Sequence, residues 1–359
     1  MRAERIRRKV FTMTPDMTPK ERLSAHFEGK EVDRAPCFSA VGSFIYAGCE
    51  KYGHPFYSVF QDAEKASDVL STPPELYGME NVLCPIDMNI VAEAFGAEAS
   101  FYTDKPPEKV VYPTVKKKLQ VEPEDYGSIE APDVAEAGRI PYVIETVQKL
   151  KEKVDSEIPV GAFLIGPFLA AGQMVELDEL YKATVKYPDE VHELVETVTG
   201  FQKEYANLLE EAGADFISLR PMGSSQDTLG VRKFKEFTMP YITEILGSIG
   251  TYKVLHICGL TDDMVNLMYE TGPDGISVDQ KNDLAANRKV LGPDANLYGG
   301  IDPYKTMVTA SPEEVEERVK ECFDAGADVP MSGCDIWPEA PVENMKALCD
   351  SIKKYGKGK

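Results

Sequence analysis

The sequence predicts an α/β protein: a single (β/α)8 TIM barrel with an N-terminal helical extension and a small hairpin insertion. Three observations predict it. First, one unit recurs in LLEEAGADFISL (208–219), MYETGPDGISV (268–278) and CFDAGADVPMS (322–332): a helix end, a glycine, an aspartate, then a short apolar run. Glycine supplies the left-handed cap that stops the helix, and the apolar run suits a strand buried on both faces. Second, buried-strand candidates number eight, which is the barrel number. Third, polar and ligating side chains gather at the C-terminal ends of those candidates, where barrel chemistry sits. A doubly wound open sheet is the alternative, but no GxGxxG follows an early strand and no P-loop is present.

Residues 1–34 form an N-terminal arm and helix, and residues 35–359 form the barrel. The opening MRAERIRRKVFTMTP is basic but has no apolar segment behind it, so it does not read as a signal peptide. The strand candidates are APCFSAV (35–41), NVLCPI (81–86), IPVGAFLI (158–165), ADFISLR (214–220), YKVLHIC (252–258), GISVD (275–279), ANLYGGI (295–301) and ADVPMSG (327–333). The interval 99–135, with KPPEKVVYPTVKKK inside it, breaks the βα rhythm and reads as the insertion. IPVGAFLIGPFLAAG (158–172) is the longest apolar run; Gly and Pro break it into strand, turn and helix start, and it is short for a membrane span. Before the third repeat, Ser311 suits an N-cap, Pro312 the first turn and Glu314 a capping box, with Val315, Val319, Cys322 and Phe323 as the apolar stripe.

Composition narrows the function. Sixty acidic against 39 basic residues give a net charge of −21, which disfavours nucleic acid and anionic membranes as partners. It also disfavours a substrate with many carboxylates unless arginines gather locally. The seven cysteines have no disulfide-framework spacing, so reduced thiols in a cytoplasmic protein are expected. Cys37 and Cys84 read as core, and Cys322 and Cys349 as parts of helix stripes.

The strand ends, in order, present Asp87, Gly166-Pro167, Arg220, His256 with Cys258, Asp279, Asp302 and Cys334. Residues two apart on a strand point the same way, so His256 and Cys258 face the barrel mouth together with Val254 beneath them. Cys334 ends the last strand and leans into the same mouth. One imidazole and two thiolates suit Zn²⁺, and three protein ligands leave a position open, as catalytic sites do. A solitary H-x-C in a buried strand is more often plain core, since free Cys packs as a small apolar residue. The joint placement at strand termini raises the metal reading above it.

LHICG, GPDANLYGGIDP and SGCDIWPEAPVENMKAL resemble the uroporphyrinogen decarboxylase superfamily, and within it the zinc-dependent corrinoid methyltransferases typified by methylcobamide:coenzyme M methyltransferases. The similarity runs from TPKERLSAHFEGKEVDRAP (18–36) to the C-terminus. The resemblance implies that His256, Cys258 and Cys334 are the zinc ligands. Cobalamin-independent methionine synthases look like distant users of the same design, and by that likeness Asp279 stands where an acidic ligand could be. Asp87 matches the place of the decarboxylase's central aspartate. The arginine-bearing motif of a decarboxylase is absent, however: the corresponding stretch reads CFSAVGSFIYAGCEKYG.

The implied chemistry is coherent. A thiol with a pKa of about 8.5 loses its proton on Zn²⁺, and two cysteine thiolates already neutralise the dication, so the incoming sulfur stays nucleophilic. An all-histidine zinc would favour activated water instead. Attack on the methyl of a Co(III) corrinoid yields a methyl thioether and Co(I). No D-x-H-x-x-G is found, so the methylcorrinoid is expected on a separate corrinoid protein docking at the barrel rim. Arg220, in SLRPMGSSQD, is the candidate for binding a sulfonate or carboxylate of the substrate, with a structural ion pair as the alternative. It departs from the coenzyme M enzymes, as does IGPF (165–168), which lacks a Glu before Gly-Pro. The expected function is therefore methyl transfer to a small thiol such as coenzyme M. Demethylation of a methylated thiol, ether or amine by Co(I), tetrapyrrole decarboxylation, and a non-catalytic metal- or corrinoid-binding barrel are the alternatives.

Overall fold

The computed structural model describes residues 16–84, 87–106 and 108–357. The predicted arm before residue 16 lies outside them. Seven parallel strands form one curled sheet in the order β1 (Val82–Cys84), β4 (Val160–Ile165), β5 (Phe216–Arg220), β6 (Tyr252–Ile257), β7 (Gly275–Val278), β8 (Leu297–Ile301) and β9 (Val329–Ser332). Every pairing is between sequence neighbours of this set, with helices between, as a (β/α) barrel requires. The strands are largely buried on both faces, because one meets the interior and the other the helices.

The eighth predicted strand, 35–41, is not a strand. It is fully buried, but its polar groups are met largely by side chains. Cys37 N–H donates to Glu80 Oε2 (3.0 Å), Ser39 N–H to Asn81 Oδ1 (2.9 Å), and Asn81 Nδ2 to the Ser39 carbonyl (3.0 Å). Pro36 removes one further donor from any ladder. The segment still acts as a stave beside β1: Glu80 N–H bonds the Cys37 carbonyl, and Phe38 enters the interior against Phe216 and Tyr298.

The break in rhythm after β1 contains an antiparallel pair, β2 (Glu98–Ser100) with β3 (Thr114–Lys117). The helix Pro19–Phe27 starts in a capping box of Thr18 and Glu21. The helix Pro312–Asp324 has the expected Ser311–Glu314 box and buries Val315, Val319, Cys322 and Phe323. All seven cysteines are free thiols. Among the described residues, no helix is long and apolar enough to cross a membrane.

Candidate metal centre and its cavity

Alternation along the strands decides what reaches the mouth. Upward through the interior, β5 presents Phe216, Ser218 and Arg220, while β6 presents Val254, His256 and, just past its end, Cys258. Ser277 on β7 is registered beside His256. The imidazole is held between them: Nδ1 lies 3.0 Å from Ser277 Oγ, and Nε2 lies 3.1 Å from Cys258 Sγ. Cys258 Sγ is in turn 3.1 Å from Cys334 Sγ, and the three ligand atoms all lie within 4.8 Å of one another.

Two glycines permit this convergence. Gly259 turns the chain at φ +95°, and a Cβ there would stand 2.7 Å from Ser225 Oγ. At Gly333 a Cβ would come within 2.4 Å of the Gln280 backbone nitrogen, so only glycine lets the end of β9 press against the loop after β7. That approach carries Cys334 to Cys258.

The thiols are electrostatically unequal. Cys334 is pushed down, first by its hydrogen bond with Cys258 and then, against the cost of burial, by His256. Cys258 moves up, because the same bond and its burial keep its proton on. A thiolate ready beside a neutral thiol and an oriented imidazole is a soft donor set. Ligand atoms around a tetrahedral zinc with bonds of about 2.0–2.3 Å stand roughly 3.5–3.8 Å apart, so small side-chain adjustments suffice for these residues to hold one. The Ser277 contact fixes the ring with Nε2 toward the sulfurs, as an outer partner of a ligating histidine does.

The cluster forms one wall of a cavity of about 270 Å³, with Met88, Tyr112, Pro113, Phe163 and Met222 as its apolar walls. Arg220 lies in it, buried, with Nη2 donating to the Ala40 carbonyl (2.8 Å) and its guanidinium 4.6 Å above the Phe163 ring. Among the described residues no carboxylate stands within ion-pair distance of it, so the structural-pair alternative does not describe it.

The two predicted aspartates are placed differently. Asp87 borders the cavity, but both its oxygens are engaged: Oδ2 by Arg139 (2.6 Å), and Oδ1 by the Asn89 backbone and side-chain nitrogens (both 2.9 Å). Arg139 also binds Glu93 and the Phe60 carbonyl, so Asp87 is one corner of a closed network rather than a free acid or base. Asp279 is outside the ligand cluster. Its Oδ2 accepts from Gly259 N–H (2.9 Å) and its Oδ1 from Lys281 N–H (3.0 Å), so it holds the turn that carries Cys258. Asp302 likewise caps its own loop, accepting from Tyr304 and Lys305 amides at 2.9 and 2.7 Å.

Sequence reasoning missed Ser277, Arg139 and Asp335. Ser277 was available from strand register, being paired with His256. Arg139 carries no local signal, since its partner is 52 residues away. Asp335 follows Cys334 directly and lines the cavity. Burial pushes its carboxyl up to about 8, with Arg220 opposing the shift.

The uroporphyrinogen decarboxylase (URO-D) family matches residues 18–355. Methylcobamide:CoM methyltransferase MtaA of Methanosarcina barkeri is 29% identical over 95% of this chain and 99% of its own length. A uroporphyrinogen decarboxylase of Trichlorobacter lovleyi is 26% identical over 91% of this chain and 96% of its own. Among solved structures, a methyltransferase from Methanosarcina mazei superposes with a TM-score of 0.88 at 28% identity, covering 94% of this chain and 99% of that one.

Proposed function

The chain belongs to the uroporphyrinogen decarboxylase family, and we propose that within it this protein is a zinc-dependent methyltransferase that moves a methyl group between a corrinoid protein and a small thiol. The observation that carries this reading is the His256–Cys258–Cys334 cluster on the wall of a largely apolar cavity. The likeness to the methylcobamide:CoM methyltransferases supports it over nearly the full length of the chain.

A zinc ion held by His256, Cys258 and Cys334 would supply Lewis acidity that converts a bound thiol to its thiolate at neutral pH. The residues do the rest. The two cysteine sulfurs offset the metal's charge, so the substrate sulfur keeps its nucleophilicity. Ser277 and Asp279 fix the imidazole and the Cys258 turn respectively. The guanidinium of Arg220 receives the anionic end of a thiol of the coenzyme M kind. Tyr112, Phe163 and the two methionines exclude water around the sulfur, where hydration would blunt its attack. The methyl group arrives from, or leaves to, a corrinoid carried by the partner protein.

The decarboxylase alternative fits poorly. Among the described residues Arg220 is the one arginine or lysine lining the cavity, and a polycarboxylate tetrapyrrole needs several. Asp87, the counterpart of the decarboxylase aspartate, is already neutralised by Arg139.

The test is direct. The purified protein should contain one zinc per chain, and Cys334→Ala and His256→Ala should lose it. With small thiols present, methylcobalamin should lose its absorbance to the wild type and not to these variants. Absence of stoichiometric zinc, or no consumption of methylcobalamin with any thiol, would overturn the proposal.

A further inference from the structure

Two polar groups in the cavity are left half used by the protein itself. Arg220 spends Nη2 on the Ala40 carbonyl and sets Nε 3.4 Å from Ser218 Oγ, while Nη1 has no hydrogen-bond partner among the described residues. Asp335 has its Oδ1 buried and without a partner. The Asp335 side chain lines the same cavity as Arg220. The two side chains feel each other's charge but form no ion pair within 4.0 Å, so neither satisfies the other.

Buried polar atoms without partners are rare, and each calls for an explanation. Here a buried carboxyl oxygen without a partner and a guanidinium nitrogen left open belong to two side chains of one small cavity, whose third wall is the His256–Cys258–Cys334 cluster. A ligand that reaches all three carries sulfur for the cluster, an anionic oxygen for Arg220 and a hydrogen-bond donor for Asp335.

The geometry points to a zwitterionic thiol as the small-molecule partner: one with a carboxylate or sulfonate and, beside it, an ammonium or other N–H donor held by Asp335. This rests on the thiol-methylation reading above and goes beyond it. A thiol bearing only a sulfonate, as coenzyme M does, fills Arg220 and leaves the Asp335 oxygen unmatched. Sites built to pair a substrate N–H discriminate strongly against analogues that lack it, because the site's own buried group is then stranded.

The experiment compares L-homocysteine, L-cysteine, 2-mercaptoethanesulfonate, 3-mercaptopropionate and cysteamine as acceptors from methylcobalamin in the zinc-loaded enzyme. The expected result is that an amino-acid thiol exceeds both the anion-only and the amine-only thiols in kcat/KM by at least tenfold. In Asp335→Asn and Asp335→Ala that ratio should fall toward one. Calorimetric binding of the methylated products supplies a readout apart from turnover: methionine should bind at least tenfold more tightly than 3-(methylthio)propionate or 3-(methylthio)propylamine. Consumption of no thiol at all defeats the methyltransferase reading itself. Consumption of 2-mercaptoethanesulfonate as well as any amino-acid thiol, or a preference indifferent to Asp335, overturns this inference and leaves that reading standing.

Discussion

The two ends of the barrel treat their buried polar groups in opposite ways. At the N-terminal end, the buried charged groups Arg22 and Glu80 are fully partnered. Arg22 donates Nε to Asp33 (2.6 Å) and Nη1 to Glu80 (3.0 Å), and Glu80 also takes Arg34 and the Cys37 amide. Above that network, Phe27, Phe38, Phe216 and Tyr298 close the interior edge to face, with Tyr252 stacked on Phe27. At the C-terminal end, Asp335 Oδ1, Gln280 Oε1 and Ser332 Oγ are buried without partners, and two thiols share one hydrogen bond. The first arrangement locks a stave that has no strand ladder of its own. The second keeps bonding capacity in reserve for a ligand. One end is built for stability and the other for chemistry, the division expected of barrels.

Mutations should separate the two ends. The largest effect is expected at the mouth: Cys258→Ala should remove bound zinc and turnover together while shifting the unfolding midpoint of the metal-free protein little. Metal analysis and calorimetry on one sample check both halves, and a large loss of metal-free stability would show that the thiol is core after all. At the closed end the pattern should invert. Glu80→Ala removes one partner of buried Arg22, the carboxylate partner of half-buried Arg34 and the acceptor of the Cys37 amide, and should cost about 1–3 kcal/mol in denaturant unfolding, with turnover per folded molecule retained.

His26 offers a pH test of the same closed end. It packs on Tyr298, its Nε2 3.0 Å from the phenol oxygen, and burial lowers its pKa to about 4. Above pH 6.5 the imidazole is neutral in both folded and unfolded chains, so it adds no pH dependence. As the pH falls from 6.5 toward 4, the unfolded chain takes up a proton that the folded chain refuses. Stability should therefore drop by about 3 kcal/mol across that window and level off below it. The difference between wild type and His26→Gln isolates this contribution from the carboxylates. A difference that is flat between pH 7 and 4 would show that His26 is hydrated when folded.

The contrast between the ends also explains what the sequence reveals. Seven of the strands were legible because each is an apolar run following a Gly- or Asp-marked turn, a purely local signal. Residues 35–41 carry the same apolar signal, yet their pairing depends on Glu80 and Asn81, about 40 residues away, which no local pattern reports. His256 and Cys258 were legible because the two-residue period of a strand fixes their common face. Asp87 and Asp279 were legible as strand-end residues but not in their partners, since Arg139 and the Gly259 amide reach them only through the fold. Asp335 was the least legible. Its importance lies in a missing partner, and that is a property of the packed cavity alone.

The smallest predicted effect probes the seam between the two ends. Ser277 sits midway up the interior, with His256 above it and Met331 Sδ 3.9 Å from its hydroxyl. It is the deepest polar contact of the metal cluster. Ser277→Ala removes the hydroxyl without opening a space large enough to reshape the barrel, so the imidazole keeps its place but loses the bond that fixes its orientation. Losing such an outer partner should weaken zinc binding by about 10–100-fold, measured by competition with a chelator. Ser277→Thr, which retains the hydroxyl, should recover part of that affinity. Unchanged zinc affinity in the alanine variant would mean that the strand alone aims His256, and that the mouth is preorganised by backbone rather than by the hydrogen bond beneath it.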